Sequence, residues 1–200
     1  PVLFASARTG AGIEDILHII AEECPSPLGG RPRRLVKDGE VFEVPCDVDK
    51  PFLAHVFSVT ADPQLGKIAM LRILQGHLDA GTQFVGHSDK KPKKAGTILK
   101  IEGREHPELE GTAHAGDIVA LARVEELHVD QVLHATTIVD DFAPVRPSYP
   151  SPMIALAIQA QEKKDEVKLG SGLAALAEED PTLVAGQDPE TKEFLVRGLG

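Results

Sequence analysis

Cysteine is nearly absent: Cys24 and Cys46 are the only two in 200 residues, and they form no Cys-x-x-Cys pair. Neither a disulfide framework nor a cysteine-rich zinc site is indicated, and a reducing cytoplasm is the simplest setting. Long apolar runs are missing too. None approaches the ~20 residues needed to span a bilayer as a helix, nothing resembles a signal peptide, and no membrane partner is expected. Catalytic spacings are equally scarce. The eight histidines are scattered without a His-Glu-x-x-His arrangement, and Ser6, Ser58 and Ser171 lack a nucleophile-elbow context. The phosphate-cradling Gly-x-x-x-x-Gly-Lys-Ser/Thr loop does not occur. Basic charge is in deficit, with 21 Lys and Arg against 31 Asp and Glu and a formal charge of −10. That balance argues against broad nucleic-acid binding through the phosphate field, and no DNA partner is expected.

What the chain does have is concentrated between Pro51 and Val124. Short apolar runs there, at 52–59, 67–74, 83–85, 97–101 and 117–121, have strand length and are cut at near-regular intervals by glycine. Glycine reaches positive φ without a Cβ clash, so this punctuation lets an extended chain reverse direction repeatedly. Five or six such strands predict a small closed or nearly closed β-barrel. Gly76-His77-Leu78-Asp79-Ala80-Gly81 reads as strand, tight reversal, strand, with Leu78 under the turn. Ala115-Gly116-Asp117 reads as a turn feeding a buried strand, with the Asp carboxylate available to local amides.

The flanks differ from this centre. Pro1 to Ala5 is an apolar run suited to an inner parallel strand. Ser6-Ala7-Arg8-Thr9-Gly10 follows as a loop in which Ser6 or Thr9 can cap the next helix. Ile13, Ile16, Leu17 and Ile20 then share one helical face, and Pro25-Ser26-Pro27 stops the helix. Residues 29–50 show no sustained period and read as a linker or extended crossing. Within it Arg31, Arg33 and Arg34 read as solvated or paired with acids such as Asp38 and Glu40. After the barrel, Pro144, Pro147, Pro150 and Pro152 stiffen a connection. A strand at 153–160, a helix with Leu169, Leu173, Leu176 and Ala177 on one face, and strands at 182–187 and 192–197 give a β-α-β-β order, the first part of a split β-α-β sandwich. Glu178-Glu179-Asp180 ends that helix. Consecutive residues point in different directions, so the trio reads as structural or solvated.

Asp62-Pro63-Gln64-Leu65-Gly66-Lys67, Gly76 to Gly81 and Ala115 to Ala120 fall in the order and spacing of the second domain of translational GTPases, and in detail they resemble elongation factor G. Strand, Ser-Ala loop, amphipathic helix and Pro-Ser-Pro resemble the end of that family's GTP-binding domain. Leu176-Ala177-Glu178-Glu179-Asp180-Pro181-Thr182 resembles its third domain. The resemblance implies a division into the end of a GTP-binding domain (1–28), a linker (29–50), a β-barrel second domain (51–143), a proline-rich linker (144–152) and a partial ferredoxin-like third domain (153–200). The overall class is mainly β with α+β parts, and the piece reads as internal to a longer chain.

The resemblance also implies a role for Ser6, Ala7 and Arg8 as the loop whose backbone amides meet the guanine carbonyl oxygen. It implies GTP and magnesium as cofactors of the longer protein, the phosphate-binding elements lying outside these residues, and the ribosome and ribosomal RNA as partners. Lys90, Lys91, Lys93 and Lys94 around Pro92 are then either an RNA-phosphate contact or a solvated hairpin tip that discourages edge pairing. The piece itself is expected to be non-catalytic. The second possibility is a binding module without nucleotide chemistry, or a paralogue acting in ribosome recycling or protection.

Overall fold

The computed structural model describes residues 2–87, 89, 91–103, 105–137, 142–145 and 148–200. In chain order these form helix α1 (Ile13–Glu23), strands β1 (Arg33–Lys37), β2 (Glu40–Val44), β3 (Leu53–Asp62), β4 (Gly66–Gln75), β5 (His77–Leu78), β6 (Gln83–Gly86), β7 (Lys93–Lys94), β8 (Ile98–Leu99), β9 (Ala113–His114), β10 (Ile118–Ala122), β11 (Val132–Ala135), β12 (Ala143–Pro144) and β13 (Ile154–Ile158), then helix α2 (Glu166–Glu179) and strands β14 (Val184–Gln187) and β15 (Phe194–Gly198).

The long hairpin β3–β4 is the spine. Its turn is set by Asp62, whose Oδ1 accepts the amides of Gln64 and Leu65 at 2.8 and 2.7 Å. The Leu65 amide, then that of Gln64, holds this exposed carboxyl below its usual pKa. On either side the antiparallel sheet extends in the order β7-β6-β11-β3-β4-β10-β8. The chain from Lys93 to Leu99 supplies both edges: its start pairs with β6 and its end with β10. The seven strands are thus six passages of chain, and the sheet curls into a barrel joined through this one segment, the barrel that the glycine spacing predicted. Inside, Val56, Leu71, Ile73, Leu78, Phe84, Leu121 and Leu133 form the core.

The β5–β9 ribbon closes one end of the barrel, with Leu78 and Ala113 fully buried. Gly76 enters it at φ 68° with its α-carbon against the backbone of the incoming strand. A Cβ there would lie 2.6 Å from the Lys50 carbonyl oxygen and 2.8 Å from the Phe52 nitrogen. The Gly76 carbonyl accepts the Ala115 amide at 2.8 Å, and the Gly116 amide donates to Ile73 at 2.8 Å. Two turns noticed separately in the sequence are therefore bonded to each other. The Asp117 carboxylate bonds the His114 amide at 2.8 Å, closing its own turn.

Where the sequence offered only a crossing at 29–50, the chain builds a hairpin. β1 and β2 pair through a two-residue turn, Asp38 and Gly39 at φ 51° and 83°, and β12 adds on the other side of β1. Positive φ at both positions is the turn that suits strand twist. The hairpin forms because the barrel's outer face is apolar here: Leu35 is fully buried against Leu53, Leu74 and Val132. Burying a leucine of this kind is worth about 2 kcal/mol.

The N-terminal segment departs further. Residues 2–5 form no strand, and Val2 and Phe4 are exposed. A parallel strand needs neighbouring strands to bond, and among the described residues no strand pairs with it. α1 forms as predicted, but its stripe is uncovered, with Leu17 and Ile20 more than half exposed. Its N-cap is Gly12 with no side-chain cap, so neither Ser6 nor Thr9 plays that part.

The last unit is the antiparallel sheet β13-β15-β14 with α2 on it. Gly170 has a packing reason: a Cβ there would stand 3.3 Å from the Phe194 ring. Leu173 is buried, whereas Leu176 is half exposed despite sharing its stripe.

Gly76→Ala is expected to lower unfolding free energy by about 2–4 kcal/mol, because it combines positive φ with a backbone clash. Gly39→Ala, at similar φ with open space around it, should lose only about 1–2 kcal/mol. Urea denaturation of the two variants tests the difference.

Candidate functional site

The Ser6-Ala7-Arg8 loop is held by its own backbone. The Ser6 amide donates to the Ala11 carbonyl at 3.0 Å, and the Ser6 carbonyl accepts from Thr9 and Gly10 at 3.3 and 2.9 Å. Ala7 and Arg8 are exposed, and among the described residues their amides donate to nothing. The loop can therefore offer two backbone donors to a carbonyl acceptor.

The lysine tip is less uniform than its sequence. Lys90 lies outside the described residues. Lys91 is exposed. Lys93 is half-buried on β7, its ammonium 2.8 Å from Asp89 Oδ2 and 3.4 Å from the Glu126 carbonyl. Asp89 also accepts Gln131 Nε2 at 3.2 Å. Lys93 is thus an anchor of the turn rather than a free cation. Lys94, its neighbour, is exposed and lays its stem across Gly81.

A second basic site was not legible in the spacing. A cavity of about 380 Å³ lies between the β1–β2 hairpin and β4, lined by Pro27, Arg31, Arg33, His55, Arg72 and Cys46 among others. Arg31 and Arg33 form no ion pair with Asp38 or Glu40 among the described residues; they turn toward this cavity. His55 is buried beneath it, with Nδ1 3.3 Å from the Arg33 guanidinium. Arginine only donates, so Nδ1 accepts and the ring proton sits on Nε2. Among the described residues Nε2 has no hydrogen-bond partner; Asp130 Oδ1 is 3.5 Å away. Burial lowers the His55 pKa, Arg33 lowers it further, and Asp130 opposes both. His55 is accordingly a neutral acceptor that aims Arg33.

The third feature joins α2 to the barrel. Lys67, almost buried on β4, places its ammonium 2.8 Å from Glu178 Oε2 and 3.0 Å from the Glu125 carbonyl. His128 Nδ1 lies 3.3 Å from the other Glu178 oxygen. Glu179 Oε1 accepts the Ala61 amide at 2.6 Å. Two of the three carboxylates read as structural or solvated therefore clasp the barrel, while Asp180 bonds Thr182 locally.

The architecture, a curled six-passage barrel followed by an α/β unit, has counterparts. A crystal structure of a protein from Thermus thermophilus matches with a TM-score of 0.71 at 29% identity, covering 94% of this chain and 26% of that one. A family model described as elongation factor G domain 2 matches residues 51–136, and one described as elongation factor G, domain III matches residues 149–200. Elongation factor G of Thermotoga petrophila is 34% identical over 205 residues, an alignment that takes in 100% of this chain and 29% of that relative, and the Thermotoga sp. strain RQ2 protein gives the same figures. Barrel and α/β unit in this order are domains of a translation elongation factor. The chain belongs to the elongation factor G family. It spans 29% of the length of these curated relatives.

Two outcomes test the geometry. In a double-mutant cycle, Lys67→Met and Glu178→Ala should show a coupling of about 0.5–2 kcal/mol: Glu178→Ala leaves the nearly buried Lys67 ammonium without its carboxylate, whereas Lys67→Met leaves the exposed Glu178 to solvent and His128. For His55 the folded pKa lies below the unfolded one, so the unfolded chain takes the proton first. Stability contributed above the unfolded value of about 6.5 is lost as pH falls below it. His55→Gln keeps an acceptor for Arg33 and should remove that part of the slope in urea titrations between pH 7.5 and 5.

Proposed function

We propose that the protein containing this chain is a GTP-dependent translation factor that acts on the ribosome in the cytoplasm, coupling nucleotide hydrolysis to movement of tRNA and mRNA. The observation that carries this reading is the alignment of elongation factor G relatives along all of this chain, with two successive domains matched in order. On this reading residues 1–28 are the end of the GTP-binding domain, 29–50 join it to the barrel, 51–143 are the second domain, 144–152 connect onward and 153–200 open the third. The piece works as a structural and ribosome-contacting part.

Ser6, Ala7 and Arg8 would hold the guanine of GTP. The free Ala7 and Arg8 amides fit a neutral carbonyl oxygen, and the small Ala7 side chain lets a base approach. The nucleotide supplies the phosphoryl group whose hydrolysis drives the cycle, with magnesium and the phosphates held by elements outside these 200 residues. The barrel braces the nucleotide domain, and the Lys67–Glu178 clasp gives the third domain a fixed footing on it. Lys91 and Lys94, with Lys90, would touch ribosomal RNA. Lys93 supports them through Asp89.

Sedimentation of the full-length protein with ribosomes, with GTP, GDP or no nucleotide, tests the reading. GTP-dependent association is expected, and association indifferent to nucleotide would reduce the chain to a docking module. Lys91→Glu with Lys94→Glu should weaken ribosome binding and flatten its dependence on salt by about one unit of slope for each phosphate no longer neutralised. An unchanged slope returns these lysines to plain surface.

A further inference from the structure

Arg31 and Arg33, two residues apart at the start of the hairpin, and Arg72 on β4 all line the cavity between the β1–β2 hairpin and β4. No aspartate or glutamate lines it, and among the described residues none of the three arginines has a carboxylate partner. On a chain of net charge −10, three guanidiniums without a carboxylate partner among the described residues converge on one opening. Arg33 is held in place by the buried His55, so part of the ordering cost is met before any ligand arrives. Planar guanidinium forks match the oxygens of a phosphate group. The rim adds apolar surface, Phe57 and Ile118, both exposed by 40% or more. A volume of about 380 Å³ is within the range of small-ligand pockets.

We propose that this cavity binds a phosphate group, with Arg31, Arg33 and Arg72 on its oxygens and Phe57 and Ile118 against the nucleoside that bears it. The phosphate belongs to a free nucleotide or to a phosphodiester of an RNA strand; the chemistry at the arginines is the same. His55 is a positioning residue that acts through Arg33. The site is separate from Ser6-Ala7-Arg8 and from the lysine tip, and it stands whether or not the protein hydrolyses GTP.

Cys46 lines the cavity and reports on it. Burial raises its thiol pKa and the charge of Arg72 lowers it, so an anion on Arg72 both shields the thiol and disfavours the thiolate. Cys24 is exposed and serves as the internal reference. The full-length protein is alkylated with iodoacetamide in pyrophosphate, in AMP, or in a single-stranded hexaribonucleotide, with sodium chloride matching ionic strength. Alkylation at each cysteine is followed by mass spectrometry. Because the readout is local, phosphate bound elsewhere does not register.

At twice the dissociation constant, occupancy should slow Cys46 about threefold while Cys24 is unchanged. Slowing by pyrophosphate or AMP assigns a free nucleotide. Slowing by the hexanucleotide without them assigns the RNA backbone. Arg72→Gln should abolish the effect. Ile118→Asp, an exposed change opposite Arg72 on β10, should abolish it without touching the core. No slowing by any of the three, or slowing that persists in Ile118→Asp, overturns the proposal.

Discussion

The seam where the turns at Gly76 and Gly116 meet holds the rest of the molecule in register. Four segments converge there, three of them bonded through backbone and the fourth packed by a side chain. Gly76 donates to the Asp47 carbonyl and accepts from Ala115, and Gly116 donates to Ile73. Pro27 fills the remaining space: a Cβ on Gly116 would lie 2.9 Å from it. The Pro-Ser-Pro that ends α1, the exit of the β1–β2 hairpin, the end of β4 and the entry to β10 are thereby fixed at one point. Backbone crowds Gly76 and the Pro27 ring crowds Gly116, so both positions depend on glycine for space as much as for conformation. The arginine cavity opens beside this seam and shares Pro27, Cys46 and Ile73 with it.

The clasp at the other side of the barrel works by a different rule. An almost buried lysine is expensive unless its charge is answered, and the answer comes from a helix that begins about a hundred residues later. Lys67 gains Glu178 and the Glu125 carbonyl, and Glu179 meets the Ala61 amide near the tip of the same hairpin. These bonds are directional and few, and α2 shares only part of its surface with β3. Such a junction selects one orientation of the third domain without welding it in place. A large apolar interface would bind harder and discriminate less.

Much of this was legible in local pattern. The apolar runs of β3 and β4, the glycine turns, and α2 with its stop at Asp180-Pro181 depend on neighbours in sequence and formed as read, although Leu176 of the α2 stripe stays half exposed. The hairpin at 33–44 was missed because prolines and mixed charge dominate the stretch, although Asp38-Gly39 between Leu35-Val36-Lys37 and Glu40-Val41-Phe42 is a two-residue turn signal. Residues 2–5 failed the other way. Their composition suits a strand, but a strand is a relation between segments. Lys67 and Glu178 stand 111 residues apart, and Arg33 and Arg72 share a cavity only because β1 folds back over β4. No spacing rule reaches such pairs.

Charge has to be judged locally for the same reason. A net charge of −10 describes the far field, which repels polyanions in general. It says little about a cavity lined by no carboxylate, where the half-buried Arg72 stands with Arg31 and Arg33 and a charge a few ångströms away acts well inside the screening length. An acidic body with a few isolated basic sites resists indiscriminate adhesion to nucleic acid while leaving chosen contacts intact. On that view the acidic balance and the arginines of the seam serve one end: the field sets what stays away, and the geometry sets what is allowed to dock.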